Sequence, residues 1–255
     1  MKDKIYNMRS KGKRQLHPEG LTPNQEKLAD LLITTKTQAK VRRREQIENG
    51  CYKFTEVIRD TSPVDFAQEG EFALKLHEKN PGAPLSPIYI NLRNLPENIL
   101  DQVGRVLVEI PSKQKPDFCT GIPSAGDPIA KAYSKFSGIE VKDIFLKTQT
   151  EAGRRIVSKE TKDAKKQKVR IVDDLVTQAD TKVEAIKAAE ASGYEVIDLV
   201  VIVDREQGGS MQLAKEGHKL CSAFTLSQLL NYYRRTGKIT QIKYDEVKAY
   251  LSAGK

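Results

Sequence analysis

Residues 169–182 read Val-Arg-Ile-Val-Asp-Asp-Leu-Val-Thr-Gln-Ala-Asp-Thr-Lys. An apolar run leads into two adjacent carboxylates, Asp173 and Asp174. A short loop follows with the hydroxyls of Thr177 and Thr181, and then a helix through Val183-Glu184-Ala185-Ile186. A strand ending at a loop before a helix N-terminus suits a phosphate, because backbone N–H groups and the helix dipole point at the anion. Two acids at the strand end suit the hydroxyls of a sugar and the waters of a Mg²⁺. Together they describe a site for a ribose carrying a phosphate. The plainer alternative is a buried strand whose end turns polar.

The neighbouring segments extend the pattern. Residues 199–209, Leu-Val-Val-Ile-Val-Asp-Arg-Glu-Gln-Gly-Gly, are a second apolar run ending in a charged cluster. Residues 118–130, Phe-Cys-Thr-Gly-Ile-Pro-Ser-Ala-Gly-Asp-Pro-Ile-Ala, read as a strand, a Gly/Pro loop and a helix start. Helices are predicted over 98–109 and 182–192, with strands near 143–147, 165–172 and 196–203. Two more helices follow residue 225, with Gly237 as the break. Strands alternating with helices, apolar on both faces, predict an α/β fold with a central parallel sheet flanked by helices. In such sheets ligands bind at the C-terminal strand ends, near a topological switch point.

The N-terminal part is different. Residues 1–20 read as a flexible arm. Thr22-Pro23-Asn24-Gln25 is a helix start, with a hydroxyl cap, Pro at the first position and Gln at the third. Leu28, Leu31 and Leu32 give that helix an apolar face. A second helix is predicted from Gln38 to Glu48, stopped by Asn49-Gly50. Short strands are predicted near Glu71–Leu76 and Pro87–Leu92, with Asn80-Pro81-Gly82-Ala83-Pro84 as the turn between them. The expected organisation is a basic arm and helical extension over 1–49 and one domain over 50–255. Within that domain a small hood covers about 50–95, the core about 96–237, and a C-terminal helix about 240–253.

With 255 residues, 38% hydrophobic and a mean hydropathy of −0.53, the chain suits a soluble medium-sized domain. No apolar run approaches a membrane span and no secretory signal is visible, which predicts a cytoplasmic protein without a membrane partner. Cys51, Cys119 and Cys221 are far apart and odd in number, so reduced thiols are expected. The net charge of +9 is compatible with nucleic acid and equally with a polyanionic small substrate. Much of the excess lies in residues 1–50, with twelve Lys or Arg against six Asp or Glu. Arg42-Arg43-Arg44 is the densest patch. A solvated helix face is the favoured reading, over a weak nonspecific nucleic-acid contact, because no aromatic residue is interleaved with the triplet.

In order and in detail these segments resemble the orotate phosphoribosyltransferases, including the transferase half of the bifunctional uridine-monophosphate synthases. The resemblance covers roughly residues 50–237. Its most specific parts are Ser86–Arg93, Asp204–Gly209 and Leu220–Leu226. It implies a type I phosphoribosyltransferase fold, a Mg²⁺ requirement, a homodimer, and phosphoribosyl pyrophosphate and orotate as substrates. It implies that Asp173 and Asp174 meet the ribose hydroxyls and the metal's waters, and that Thr177 and Thr181 meet the 5′-phosphate. Ser124, Ala125 and Gly126 fall on the pyrophosphate loop, where Gly126 would let the backbone approach the anion. Lys75 matches a lysine used near phosphoribosyl pyrophosphate. Arg205 matches the arginine that meets the orotate carboxylate, a pairing suited to a guanidinium fork. A salt bridge from Arg205 to Asp204 or Glu206 is the structural alternative.

The chain departs from the family's pattern at several places. In the family's catalytic lysine loop Lys147 is kept, but Thr150 stands for the catalytic lysine and Ala152 for the aromatic or His. A second placement of that loop uses Ser158–Asp163, at about half the usual distance from Asp173. In the phosphate loop, Gln178-Ala179-Asp180 replaces small residues and glycine. Ala179 is expected to lose backbone freedom, and Asp180 to set a charge of the wrong sign beside the phosphate unless Lys182 or a turned-away rotamer compensates. Asn91 stands where Asp is usual. These changes keep open a second function: a catalytically degraded homologue serving as a regulatory, binding or nucleic-acid-interacting protein.

Overall fold

The computed structural model describes residues 20–72, 76–112, 114–150, 153–159 and 166–253. The chain enters through helix α1 (Pro23–Thr34), whose N-terminus carries the expected reciprocal cap. The Thr22 hydroxyl accepts the Gln25 N–H at 3.2 Å, and the Gln25 side chain accepts the Thr22 N–H at 2.8 Å. Leu28, Ala29 and Leu32 are its buried face.

The predicted second helix is not there. Residues Thr37–Gln46 form strand β1, paired antiparallel with β2 (Tyr52–Thr61) across a short 3₁₀ turn, Glu48–Gly50. Arg, Gln and Glu are good helix formers, but propensity differences amount to at most about 0.7 kcal/mol per residue. Here a ten-residue register from Thr37↔Thr61 to Gln46↔Tyr52 overrides them, with Val41 facing Val57. The expected strand over Glu71–Leu76 is also absent among the described residues. Phe72 has φ 58°, which ends extended backbone, and Leu76–Lys79 form a short helix, α2. Glu71 keeps one bridge, to Arg43. Strands β3 (Val64–Phe66) and β4 (Ile88–Ile90) complete this small antiparallel region. Arg59 ties it together: its guanidinium donates to both Glu71 carboxylate oxygens, at 2.9 and 2.7 Å, and to Asp65 at 2.8 Å.

The core follows the predicted alternation. Helix α3 (Glu97–Glu109) leads to β5 (Phe118–Gly121), α4 (Gly126–Ser137) and β6 (Glu140–Val141). A hairpin of β7 (Phe145–Thr150) and β8 (Gly153–Ser158) stands apart from the main sheet. Then come β9 (Lys168–Val176), α5 (Asp180–Ala191), β10 (Glu195–Asp204), α6 (Gly209–Lys215), β11 (Leu220–Thr225), α7 (Leu226–Arg235) and α8 (Gln241–Ala253). The sheet order is β11-β10-β9-β5-β6, all parallel.

Both faces of the sheet are covered, and successive residues serve opposite sides. Cys119, Val172, Val200 and Ile202 join a core with α1, α3, α4 and α7. Phe118, Ile171, Leu199 and Val201 join another with α5 and the β7–β8 hairpin. An ion pair lies inside the sheet. Arg170 is 2% exposed and pairs with Asp198 through two hydrogen bonds, at 2.9 and 2.8 Å, while Ser112 donates to Asp198 and Tyr133 accepts from Arg170. With its partners satisfied this pair is tolerated, but loss of either member would leave a bare buried charge.

Candidate active site

The strand order reverses between β5 and β9, because β5 leads outward to β6 while β9 leads to β10 and β11. That is a topological switch point, and the candidate loops gather there. Strand β9 outruns its neighbour. Gly121, the last residue of β5, pairs with Val172, whereas β9 continues beside β10 to Val176. Asp173 and Asp174 therefore stand within the strand, just beyond the end of β5, rather than at the strand's own end.

The two acids have different surroundings. Asp173 is 4% exposed, and its Oδ2 lies 2.8 Å from Lys182 Nζ on the first turn of α5. Its Oδ1 accepts the Asp174 N–H at 2.9 Å. Burial pushes the Asp173 carboxyl up to about 6, against the opposing pull of the Lys182 ammonium; the Asp174 carboxylate adds to the rise. Asp174 is half-buried, and its Oδ1 accepts the Leu175 N–H at 2.7 Å. Asp174 is thus the more accessible of the two acids, and Asp173 is held by a cation.

Thr177, half-buried, and Thr181, exposed, flank the loop between β9 and α5. The loop rests on the start of α6. Gly209 donates its N–H to Thr177 O at 3.0 Å, and a Cβ on Gly209 would come 2.4 Å from a Val176 methyl. The feared stiffness of Ala179 does not arise: its φ of −103° is open to any residue, and its methyl is fully buried in the core. Nor does Lys182 answer the Asp180 charge, since it is engaged with Asp173. Gln212 of α6 does so. Its amide N–H donates to Asp180 Oδ1 at 2.6 Å, and its Oε1 accepts the Ala179 N–H at 2.8 Å. The amide lies more than thirty residues along the chain from the loop, a distance over which sequence carries no local signal.

On the other side of the switch point, Ile122–Asp127 turns from β5 into α4. The glycines at its ends pack on each other and on the sheet: a Cβ on Gly121 would lie 2.4 Å from Gly126 C, and one on Gly126 2.5 Å from Val172 O. On the side a Cβ would take, Gly126 admits the protein's own backbone. Ser124 is exposed and Ala125 half-buried, and the Pro123–Ser124 peptide is cis. Lys147, from β7, donates its Nζ to Pro123 O at 2.9 Å and so reaches this loop. Burial, with Asp143 nearby, raises the Asp127 carboxyl, while Lys131, Lys159 and Lys147 lower it.

Arg205 follows the end of β10, its N–H bonded to Val176 O at 2.9 Å. Its guanidinium is mostly buried, and the Nε has no partner. Burial lowers its pKa, opposed by the Tyr250 phenol of α8. The salt-bridge alternative does not form. Asp204 accepts the Glu206 N–H at 2.8 Å, and Glu206 accepts the Ser227 N–H at 2.7 Å. A buried guanidinium with an unpaired N–H is a ready donor to a ligand anion.

Lys75, Ala152 and Lys162 lie outside the described residues. Asn91 accepts the Arg93 N–H at 3.2 Å within its own turn. The arginine triplet lies on a strand, not a helix face. Arg42 stacks on Phe54 at 4.8 Å and Arg44 on Tyr52 at 4.7 Å, so β2 supplies the aromatic rings that the local sequence lacks. Arg43 Nε lies 3.9 Å from Glu71. Among the described residues no group of three or more His, Cys, Asp or Glu gathers to hold a metal, and no helix is long and apolar enough to cross a membrane.

No family model matches the chain. It is 31% identical over 152 residues to an orotate phosphoribosyltransferase of Aquifex aeolicus, covering 57% of this chain and 82% of that protein. Among solved structures, the Leishmania donovani UMP synthase aligns with a TM-score of 0.57 at 32% identity, over 75% of this chain and 40% of that one. The chain thus spans less than half of that synthase. A Mycobacterium tuberculosis orotate phosphoribosyltransferase aligns with a TM-score of 0.52 over 81% of this chain and 99% of its own, and at 21% identity the likeness is one of fold.

Proposed function

This chain belongs to the orotate phosphoribosyltransferase family, and from that premise we propose that it transfers the phosphoribosyl group of phosphoribosyl pyrophosphate to orotate. The bond from ribose C1 to pyrophosphate breaks, a bond from C1 to the orotate ring nitrogen forms, and the products are orotidine monophosphate and pyrophosphate. The observation that carries this reading is Arg205: a mostly buried guanidinium whose Nε is unpaired and which has no carboxylate partner among the described residues, beside the switch point. Orotate brings the carboxylate that it lacks.

In this reading Asp174 orients the ribose hydroxyls. Asp173, neutralised in part by Lys182, supports the strand beneath it. Thr177 and Thr181, with the N–H groups of their loop, hold the 5′-phosphate at the start of α5. Ser124, Ala125 and Gly126 border the leaving pyrophosphate, and Lys147, already bonded to Pro123 O, brings a cation to it. Lys75 is assigned to the same anion by resemblance. By resemblance the reaction takes Mg²⁺, a cation held by one or two carboxylates, waters and substrate phosphates. Asp174 would hold it through water, and bound Mg²⁺ would neutralise charge on the departing pyrophosphate.

The second reading, a degraded homologue that binds nucleic acid, draws little from the site. Two arginines of the triplet lie on aromatic rings and the third faces Glu71. The test is pyrophosphate release from phosphoribosyl pyrophosphate with Mg²⁺, with and without orotate. Orotate-dependent release supports the proposal. No release, with binding of neither substrate by calorimetry, overturns it.

A further inference from the structure

We propose that Gln212 is a positioning residue: it keeps the Asp180 carboxylate off the 5′-phosphate and thereby makes the divergent loop usable. The inference rests on the phosphoribosyl reading above. Both ends of one neutral amide are committed to this loop. The Gln212 N–H holds Asp180 at 2.6 Å, and the carbonyl holds the Ala179 N–H at 2.8 Å. The helix that carries Gln212 cannot drift from the loop, because Gly209 N–H is bonded to Thr177 O and Gly209 packs on Val176 with no room for a side chain. The nearest cation in sequence, Lys182, is taken by Asp173. Gln212 is thus the described side chain that restrains the Asp180 charge.

A carboxylate freed at the mouth of this loop would lie within several ångströms of a bound phosphate. Two unit charges about 4 Å apart repel by roughly 1 kcal/mol in water and roughly 4 kcal/mol at intermediate dielectric. Arg205 and Gly209, at the two ends of the turn that leads into α6, donate their N–H groups to Val176 O and Thr177 O, so this turn runs along the same loop.

The experiment measures binding of ribose 5-phosphate and of phosphoribosyl pyrophosphate with Mg²⁺ by calorimetry, together with KM for both substrates. Gln212→Leu keeps the bulk and removes both hydrogen bonds. It should weaken both phosphorylated ligands at least tenfold, with the KM for orotate changing less than threefold. Adding Asp180→Asn to Gln212→Leu should restore binding to within about threefold of the unmodified protein. A purely structural role would not be rescued by that second change. Binding unaltered in Gln212→Leu, or no rescue in the double variant, overturns the proposal. Asp180→Asn alone gives an independent check should Gln212→Leu not fold. With the carboxylate already tethered, affinity should change less than threefold, and a tenfold tightening would show that Asp180 faces the phosphate despite Gln212. An unmodified protein that binds neither ligand refutes the phosphoribosyl reading itself, and this inference with it.

Discussion

Replacing Lys182 by Met should make stability depend on pH in a way that the unmodified protein does not. Lys182 Nζ lies 2.8 Å from an Asp173 carboxylate that is 4% exposed. Burial already holds that carboxyl at about 6, against about 3.9 in an unfolded chain. The native state therefore binds the extra proton between about pH 4 and pH 6. Asp173 favours folding fully below about pH 4, and that contribution is lost as pH rises through about 6. At about 1.36 kcal/mol per unit, roughly two units amount to ~3 kcal/mol. Removing the ammonium takes away the main influence that lowers the Asp173 pKa, so the carboxyl moves higher and the losing window extends above pH 7. Each unit of that rise adds about 1.36 kcal/mol of destabilisation at pH 8, and stranding one half of a buried pair usually costs about 3–5 kcal/mol. At pH 5 both proteins carry a largely protonated Asp173, and the gap should shrink to ~1 kcal/mol. Urea unfolding at pH 5 and pH 8 measures both gaps. A gap of equal size at the two pH values would refute the buried-pair reasoning.

Three further outcomes are expected. Asp174→Asn should lower turnover at least a hundredfold while the melting temperature moves by only a few degrees; unchanged kinetics would remove Asp174 from the site. Arg205→Ala should raise the KM for orotate more than that for phosphoribosyl pyrophosphate, and equal changes in both would mark Arg205 as structural. Ala179→Gly should lower stability by about 1–2 kcal/mol and leave ligand affinity no better, because a buried methyl is lost and no left-handed backbone needs the glycine; tighter binding in a calorimeter would restore the stiffness argument.

The main strands from residue 98 onward could be read from sequence, because β5, β9 and β10 are apolar on both faces; the exposed β6 and the polar β7–β8 hairpin carry no such run. Thr22-Pro23-Asn24-Gln25 announced α1, because a cap is local chemistry. The β1–β2 ribbon was not legible. Its arginines and glutamines are good helix formers, and only the register with β2 reveals a strand. The acid pair and Arg205 could be found because each lies at or near the C-terminal end of an apolar run. The partners that decide their behaviour could not. Lys182 looked available to Asp180, yet it turns to Asp173. Gln212 gave no signal at all, since a helix placed by Gly209 brings it to the loop.

The glycine pair at Gly121 and Gly126 has a consequence for how this protein can change. Helix and strand touch there through bare backbone, and no side chain fits at either post. The four residues between them, Ile122 to Ala125, span a gap whose width the posts alone set. Ser124 and Ala125 can therefore be exchanged for other small or polar residues, retuning what the loop greets without moving α4 or β9. A methyl added at either glycine would instead pry the two layers apart and shift every group that depends on them. Substitution is accessible on the span and closed off at its footings.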